Sequence, residues 1–380
     1  MFFRFNPRLF TSNIQRKGAF PKPRHDGMRT SSRRDADHRI TQPPEISPGG
    51  SGKAMNGSRS ARRDRVLLAD IGGTNARFSL AERDEIGPIE HFKVTDFSSV
   101  TDVIAAFLTR HAGGSPEAAV LGVAGPVENN RCTITNSGWM IDGSDLQTRF
   151  GFKVVHLLND FAATAWSLPA LQPSDLLPVG PQRPIAGAPM LVLGPGTGFG
   201  AACLFPGVPF AAVTEAGHAT LSATSESEER VIGQLRQRFE HVSVERVLSG
   251  SGLANLYQAL AAIDGVTVPC RDPAEITRAA LDDSCNVSRA ALDLFCSLLG
   301  AVAGNLALTF CARGGVYIAG GIVPRFAGRL AESKFRKQFE SKGRYEPYLQ
   351  SIPTNIILHP DSTFVGLKAF FERNVAATEP

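Results

Sequence analysis

The chain has 380 residues, enough for two domains, and its 43% apolar and 20% charged composition is that of a soluble globular protein. Residues 1–64 hold 14 Lys/Arg against 5 Asp/Glu. The whole chain holds 40 against 36, so residues 65–380 hold 26 against 31. The basic charge therefore belongs to the N-terminal segment, and the mildly acidic remainder argues against a nucleic-acid groove on the body.

Residues 1–64 are rich in Arg, Ser, Pro and Gly with little apolar periodicity, which predicts disorder. Three readings compete there: a start upstream of true initiation near Met28 or Met55, a solvated basic tail, and a transit peptide. Residues 1–20 carry Arg and no acids but lack a clean amphipathic helix, and no apolar core of a signal peptide follows the basic start. From Val66 to Leu80 a short apolar run, a Gly/Thr-rich turn and a second apolar run predict strand, tight turn, strand. A helix is expected around 103–111, a strand at 119–123, a short β pair near 132–136 and a helix from about 143. A buried strand over 154–158 ends at Asn159-Asp160 and leads into a helix over 161–168. The run 171–189, dense in Pro and Gln, reads as a crossing between domains.

Residues 190–204 repeat the strand, turn, strand theme. Helices are expected over 225–239, 249–262 and 289–312, then a buried strand from Gly315 that ends in Gly320-Gly321. An amphipathic helix over 364–374 should pack back on the first half, since chain termini often lie close together. The uncharged stretch 294–312 reaches the length of a membrane span. Its Ser297, Asn305 and Thr309, and the small residues Gly300, Ala301, Ala303 and Gly304, favour a closely packed core helix instead. Six cysteines, at 132, 203, 270, 285, 296 and 311, form no C-x-x-C and no paired framework. Neither zinc nor disulfides are indicated, and a reducing cytosol is the simplest setting.

The chemistry gathers at the turns. Asp70, Gly72, Gly73 and Thr74 suit a plain hairpin, for which Gly-Gly is favoured. They also suit a phosphate, because glycines let backbone N–H groups converge and a threonine hydroxyl adds a donor. Asp70 would then act on Mg²⁺ through water. The run Gly194 to Gly200 is G-x-G-x-G-x-G, neither a dinucleotide fingerprint nor a P-loop, and alone it serves equally as a glycine-rich hairpin. Two such turns in one chain can hold a nucleotide's phosphate tail, which points to a phosphotransferase with two similar halves. Asp160 reads either as a helix N-cap or as a general base for a hydroxyl that attacks a γ-phosphate. Glu215 and His218 lack a third ligand at metal-binding spacing but suit a polyhydroxyl ligand. Glu245, taken alone, reads as a helix-start carboxylate or half of a surface pair. Gly320-Gly321 fits a backbone passing close to a flat ligand such as adenine, or a plain strand-to-helix turn.

Together these residues resemble the bacterial ATP-dependent glucokinase family. Asp70-Ile71-Gly72-Gly73-Thr74-Asn75-Ala76-Arg77 is similar to its first phosphate motif, and Gly194-Pro195-Gly196-Thr197-Gly198-Phe199-Gly200 to its second. Leu158-Asn159-Asp160-Phe161 resembles the segment that carries its catalytic aspartate. Glu215-Ala216-Gly217-His218 and Glu245-Arg246-Val247-Leu248-Ser249-Gly250 resemble its sugar-binding segments, and Tyr317 to Pro324 its adenosine segment. The resemblance covers about residues 65–372, with the motifs in family order.

It implies an α/β, two-domain actin/hexokinase-like (ribonuclease H-like) fold with a central cleft. Residues 65–170 with 359–380 would form the small domain and 171–358 the large one. It implies transfer of the γ-phosphate of ATP to the 6-hydroxyl of D-glucose, with Mg²⁺. Asn136, Asn159, Asp160, Glu215, His218 and Glu245 would contact the sugar, with Asp160 as base. Asp70, Gly72, Gly73, Thr74, Asn75, Thr197 and Gly198 would serve the phosphates and their metal, and Gly320 and Gly321 would face adenosine. A cytoplasmic homodimer, with no nucleic-acid or membrane partner, is expected by the same analogy.

Two departures stand out. The sugar loop reads Thr214-Glu215-Ala216-Gly217-His218, where the family often has Gly before the Glu and Gly-Gly before the His, so the loop should be stiffer. The 64-residue extension is foreign to the family. The related repressor/kinase family usually carries a cysteine-rich zinc motif, and sometimes a helix-turn-helix; neither is visible here. Other readings are a kinase for mannose, fructose or an N-acetylated sugar, a sugar-responsive regulator without turnover, and an actin-like filament protein.

Overall fold

The computed structural model describes residues 65–82, 85–111, 115–134, 137–208 and 210–375. The expectations for residues 1–64 and for Asn136 fall outside these. The predicted first hairpin is present: β1 (Arg65–Ile71) pairs antiparallel with β2 (Asn75–Glu82), Ile71 opposite Ala76. β3 (Glu85–Ile86) and β4 (Glu90–Lys93) continue from β2, each antiparallel to it. Helix α1 (Val100–Arg110) starts where the Ser99 hydroxyl accepts the Asp102 N–H. It returns the chain to β5 (Ala118–Val123), parallel to β1 and buried along its whole length. The small hairpin of β6 (Arg131–Thr133) and β7 (Met140–Asp142) extends beyond the pair expected near 132–136. Next, α2 (Gly143–Phe150) is capped by Asp142 and stopped by Gly151 at φ 72°, a left-handed conformation that suits glycine. β8 (Val154–Asn159) lies parallel to β5 and runs directly into α3 (Asp160–Ser167).

The second sheet repeats the plan. β9 (Leu176–Pro178) comes first; β10 (Met190–Pro195) and β11 (Phe199–Leu204) then form the second predicted hairpin, with β12 (Ala211–Thr214) beside β11. Four helices follow: α4 (Glu226–Arg236), α5 (Gly250–Ile263), α6 (Pro273–Leu281) and the long α7 (Asn286–Phe310). β13 (Gly315–Ile318) is parallel to β10. Short helices α8 (Ala327–Glu332), α9 (Phe335–Glu340) and α10 (Glu346–Gln350) lead to β14 (Thr354–Ile357), parallel to β13, and then α11 (Ser362–Asn374). In both sheets an antiparallel hairpin is extended through its first strand by two parallel strands: β2-β1-β5-β8 in one, β11-β10-β13-β14 in the other.

Hydrophobic burial makes three layers of this. Phe78, Phe92, Phe107 and Ile141 pack on one face of the first sheet. Helices α4 to α7 cover one face of the second, through residues such as Leu235, Leu256, Phe295 and Leu299. The third layer joins residues of both sheets, Leu68, Val120, Val192, Ala202 and Tyr317, to α3 and α11 through Ala163, Trp166, Phe364 and Leu367. The alanine-rich α3 and Gly366 of α11 allow this contact, since a Cβ at 366 would land on the Ala163 carbonyl. The C-terminal helix thus packs against the first half as its amphipathic pattern predicts. Helix α7 is long and apolar enough for a membrane span, yet 72% of its most apolar window is buried within the protein. It is the core helix expected from its small residues: a Cβ on Gly300 or Gly304 would meet the backbone of α9. The run 171–189 contains an unforeseen strand, β9, which pairs with β14 at the edge of the second sheet.

Candidate active site

The first turn spans the end of β1 and the start of β2. The Gly72 N–H donates to the Asn75 carbonyl (2.9 Å), which leaves Gly73 and Thr74 at the tip and Thr74 and Asn75 exposed. Asp70 stands just before this turn, opposite Arg77. Arg77 Nε donates to Asp70 Oδ2 (3.0 Å), and its Nη1 donates to Asp361 Oδ1 (2.9 Å). One guanidinium therefore serves two carboxylates, one on the first hairpin and one at the head of α11, and it also lies 5.4 Å from the centre of the Phe364 ring. Neither Arg77 as a bridge nor Asp361 was legible in the sequence, because 284 residues separate them.

The second turn is tighter. Pro195 pairs with Phe199, and the Gly196 N–H donates to the Gly198 carbonyl (2.8 Å), which sets Thr197 exposed at the tip. The ends of β10 and β13 meet here backbone to backbone. Gly320, at φ 92°, has the Pro195 carbonyl where a Cβ would stand, and a Cβ on Gly194 would strike the Ala319 carbonyl. Gly321 instead faces open space.

Asn159 and Asp160 divide their tasks. Asn159 is the N-cap of α3: its Oδ1 accepts the N–H groups of Phe161 (3.0 Å) and Ala162 (3.2 Å), and its Nδ2 donates to the Gly125 carbonyl (3.3 Å). Asp160 is the first helical residue, and its Oδ1 accepts the Phe161 N–H (2.9 Å). Burial, and then the negative charge of Asp70, push the Asp160 carboxyl from its ordinary value of 3.8 up to about 6, against the hydrogen bonds from Phe161 and Asn159.

Around this carboxylate the remaining candidates share neighbours. The Phe161 ring fills the space a side chain at Gly200 would need. Gly217 packs on the Phe199 carbonyl, which brings the 215–218 loop against β11. Glu215 and His218 point outward, with side chains 67% and 68% exposed. Their Oε2 and Nε2 lie 3.9 Å apart, too far for a hydrogen bond, so both are available to a ligand. Glu245 is not the surface carboxylate its local sequence resembles. Its Oε2 accepts the Phe199 N–H (2.8 Å), and its own N–H donates to the Gly217 carbonyl (2.8 Å). Among the described residues no group of three or more His, Cys, Asp or Glu forms a metal cage. Asp70, with Oδ2 held by Arg77, offers its second oxygen. That donor set fits a hard cation that arrives with nucleotide phosphates and keeps most of its water.

Two like sheets, each with a Gly/Thr turn at corresponding strand ends, and a carboxylate at the adjoining end of β8 define a sugar kinase of the actin/hexokinase-like fold. A model of the glucokinase family matches residues 67–374. A glucokinase from Paramagnetospirillum magneticum (strain ATCC 700264 / AMB-1) is 46% identical over 308 residues, 80% of this chain and 96% of the relative. The crystal structure of a glucokinase from an Antarctic psychrotroph superposes with a TM-score of 0.75 at 36% identity, over 80% of this chain and 98% of that one. The Balamuthia mandrillaris glucokinase solved in complex with glucose shares the fold, with a TM-score of 0.70 at 21% identity over 82% of this chain and 94% of its own. The chain belongs to the glucokinase family.

Proposed function

We propose that this protein is an ATP-dependent glucokinase that transfers the γ-phosphate of ATP to the 6-hydroxyl of D-glucose, with Asp160 as general base. The observation that carries this reading is the state of Asp160. Asn159 caps the helix, so Asp160 is spared for chemistry, and its carboxyl is raised to about 6. A base with that value is ionised at neutral pH yet strong enough to draw a proton from an attacking hydroxyl.

Asn159, Glu215, His218 and Glu245 would orient the hexose by hydrogen bonds, with Asn136 completing the pocket. The two turns would present Gly72, Gly73, Thr74, Asn75, Thr197 and Gly198 to the phosphates, their N–H and hydroxyl donors aimed at the charge that develops on the transferring group. The open face at Gly321, beside Gly320, suits a flat adenine. Asp70 would hold, through water, a Mg²⁺ ion that arrives with ATP, and the ion would supply positive charge against the phosphate oxygens. Residues 65–170 with 359–380 and residues 171–358 would act as two domains around a central cleft, closing on the sugar to exclude water. The six free cysteines suit a reducing cytoplasm, and the family analogy supports a homodimer without nucleic-acid or membrane partners. Asp160→Ala should lose nearly all turnover while glucose still binds in calorimetry. A variant that keeps most of its activity removes Asp160 as the base, and a higher specificity constant for another hexose reassigns the substrate.

A further inference from the structure

One short segment touches both halves of the proposed reaction site. Glu245 donates its backbone N–H to Gly217, inside the sugar loop 215–218 (2.8 Å). Five residues on, the Gly250 N–H donates to the Gly196 carbonyl, inside the second phosphate turn (2.9 Å). Between these anchors the segment is fixed to the head of α5. Ser249 Oγ donates to the Glu245 carbonyl (2.8 Å) and accepts the Gly252 N–H (3.0 Å) as the helix N-cap, and Asn255 Nδ2 donates to the Arg246 carbonyl (2.9 Å). The backbone is a bracket with little freedom, so the part left to respond to a ligand is the Glu245 carboxylate.

That carboxylate reaches back over the phosphate turn. Its Oε2 accepts the Phe199 N–H, and it fills the space beside Gly198 so fully that a Cβ at 198 would overlap it; the three atoms nearest that position all belong to this carboxylate. Among the described residues Oε1 has no hydrogen-bond donor. We infer that Glu245 couples the two substrates: a sugar hydroxyl on Oε1 fixes the carboxylate, and through Oε2 the carboxylate fixes the Phe199 N–H and the Gly196–Gly198 turn in its phosphate-binding form. This rests on the reading of Glu245 as a sugar contact. Each ligand then finds ordered what it would otherwise have to order, and the linkage is reciprocal. Glu215 and His218, exposed and unbraced, would bind sugar without this effect.

The test is calorimetric binding of a non-hydrolysable ATP analogue with Mg²⁺, with and without saturating glucose, to the full-length protein. The wild type should bind the analogue roughly 5- to 150-fold tighter with glucose. Glu245→Ala should weaken glucose binding and bring that ratio close to one, with analogue binding in the absence of glucose confirming an intact fold. Gly198→Ala displaces the carboxylate, Oε1 with it, so it should lower the ratio and weaken glucose binding toward the Glu245→Ala value. In a Glu245→Ala background the same change should no longer alter glucose affinity or the ratio, because the group it displaces is gone. A wild-type ratio of one overturns the inference. So does a Glu245→Ala protein that loses glucose affinity but keeps the wild-type ratio, which leaves the sugar contact standing. If Glu245→Ala binds glucose normally, the sugar contact and the coupling fail together. A Gly198→Ala loss of glucose affinity that persists undiminished in the Glu245→Ala background also contradicts the coupling.

Discussion

Asp160 shows how one residue's surroundings set both its chemistry and its cost. Its carboxyl titrates near 6 because burial and Asp70 disfavour the charge. As the proposed base it must be ionised, so kcat/KM for glucose should fall about tenfold per pH unit once the pH drops below about 6. A pH–rate profile with no inflection between pH 5 and 7 would contradict that assignment. The same shift acts on stability. A carboxyl whose folded value is raised favours the folded state while protonated, below its ordinary value near 4, and that contribution is lost as pH rises through about 6. At neutral pH the ionised group therefore costs about 3 kcal/mol. Asp160→Asn, which keeps an acceptor for the Phe161 N–H, should raise the thermal midpoint at pH 7.5 by a few degrees while turnover collapses. The gain should vanish near pH 4, and a midpoint unchanged at pH 7.5 would show that the charge is not strained.

At the scale of elements, the site depends on how closely α3 and the second hairpin approach. Phe161, next to the proposed base Asp160, lies where a side chain at Gly200 would project. Gly200→Ala should push the first turn of α3 and lower kcat by roughly an order of magnitude or more, because small misplacements of a base are costly. Glucose affinity should change less, and equal losses in kcat and glucose binding would show a general collapse instead. Both hairpins were legible because the apolar, Gly/Thr, apolar pattern is local, and so was the Asn159-Asp160 junction, where a buried strand meets a helix start. Which of those two residues caps the helix was not legible, since either side chain can. Helix α6 was missed although its signal is present: Asp272 and Glu275 form a capping box around Pro273 at the first turn. Strand β9 carries no comparable mark. Three residues in a Pro-rich run become a strand because β14, far along the chain, offers an edge. The bond that ties Glu245 to Phe199 escaped for the same reason, since the two are 46 residues apart; Glu245 itself was named as a sugar contact by its motif.

At the scale of the whole molecule, the described residues form two like sheets joined across α3 and α11, with Arg77 bridging Asp70 of the first hairpin to Asp361 at the head of α11. In that arrangement the two Gly/Thr turns belong to different sheets, and Asp160, the proposed base, stands at the end of β8. A motion of one sheet against the other would bring all three onto the substrates. Glucose should therefore reduce the radius of gyration measured by small-angle X-ray scattering, and ATP alone should do so less. An unchanged radius at saturating glucose would argue against closure. The measurement that bears most directly on the account is product formation by the purified protein with Mg²⁺-ATP, in the presence and absence of glucose. ADP formed only with glucose, mole for mole with glucose 6-phosphate, is the predicted result. ADP release independent of glucose, or no glucose 6-phosphate from folded protein, would contradict it.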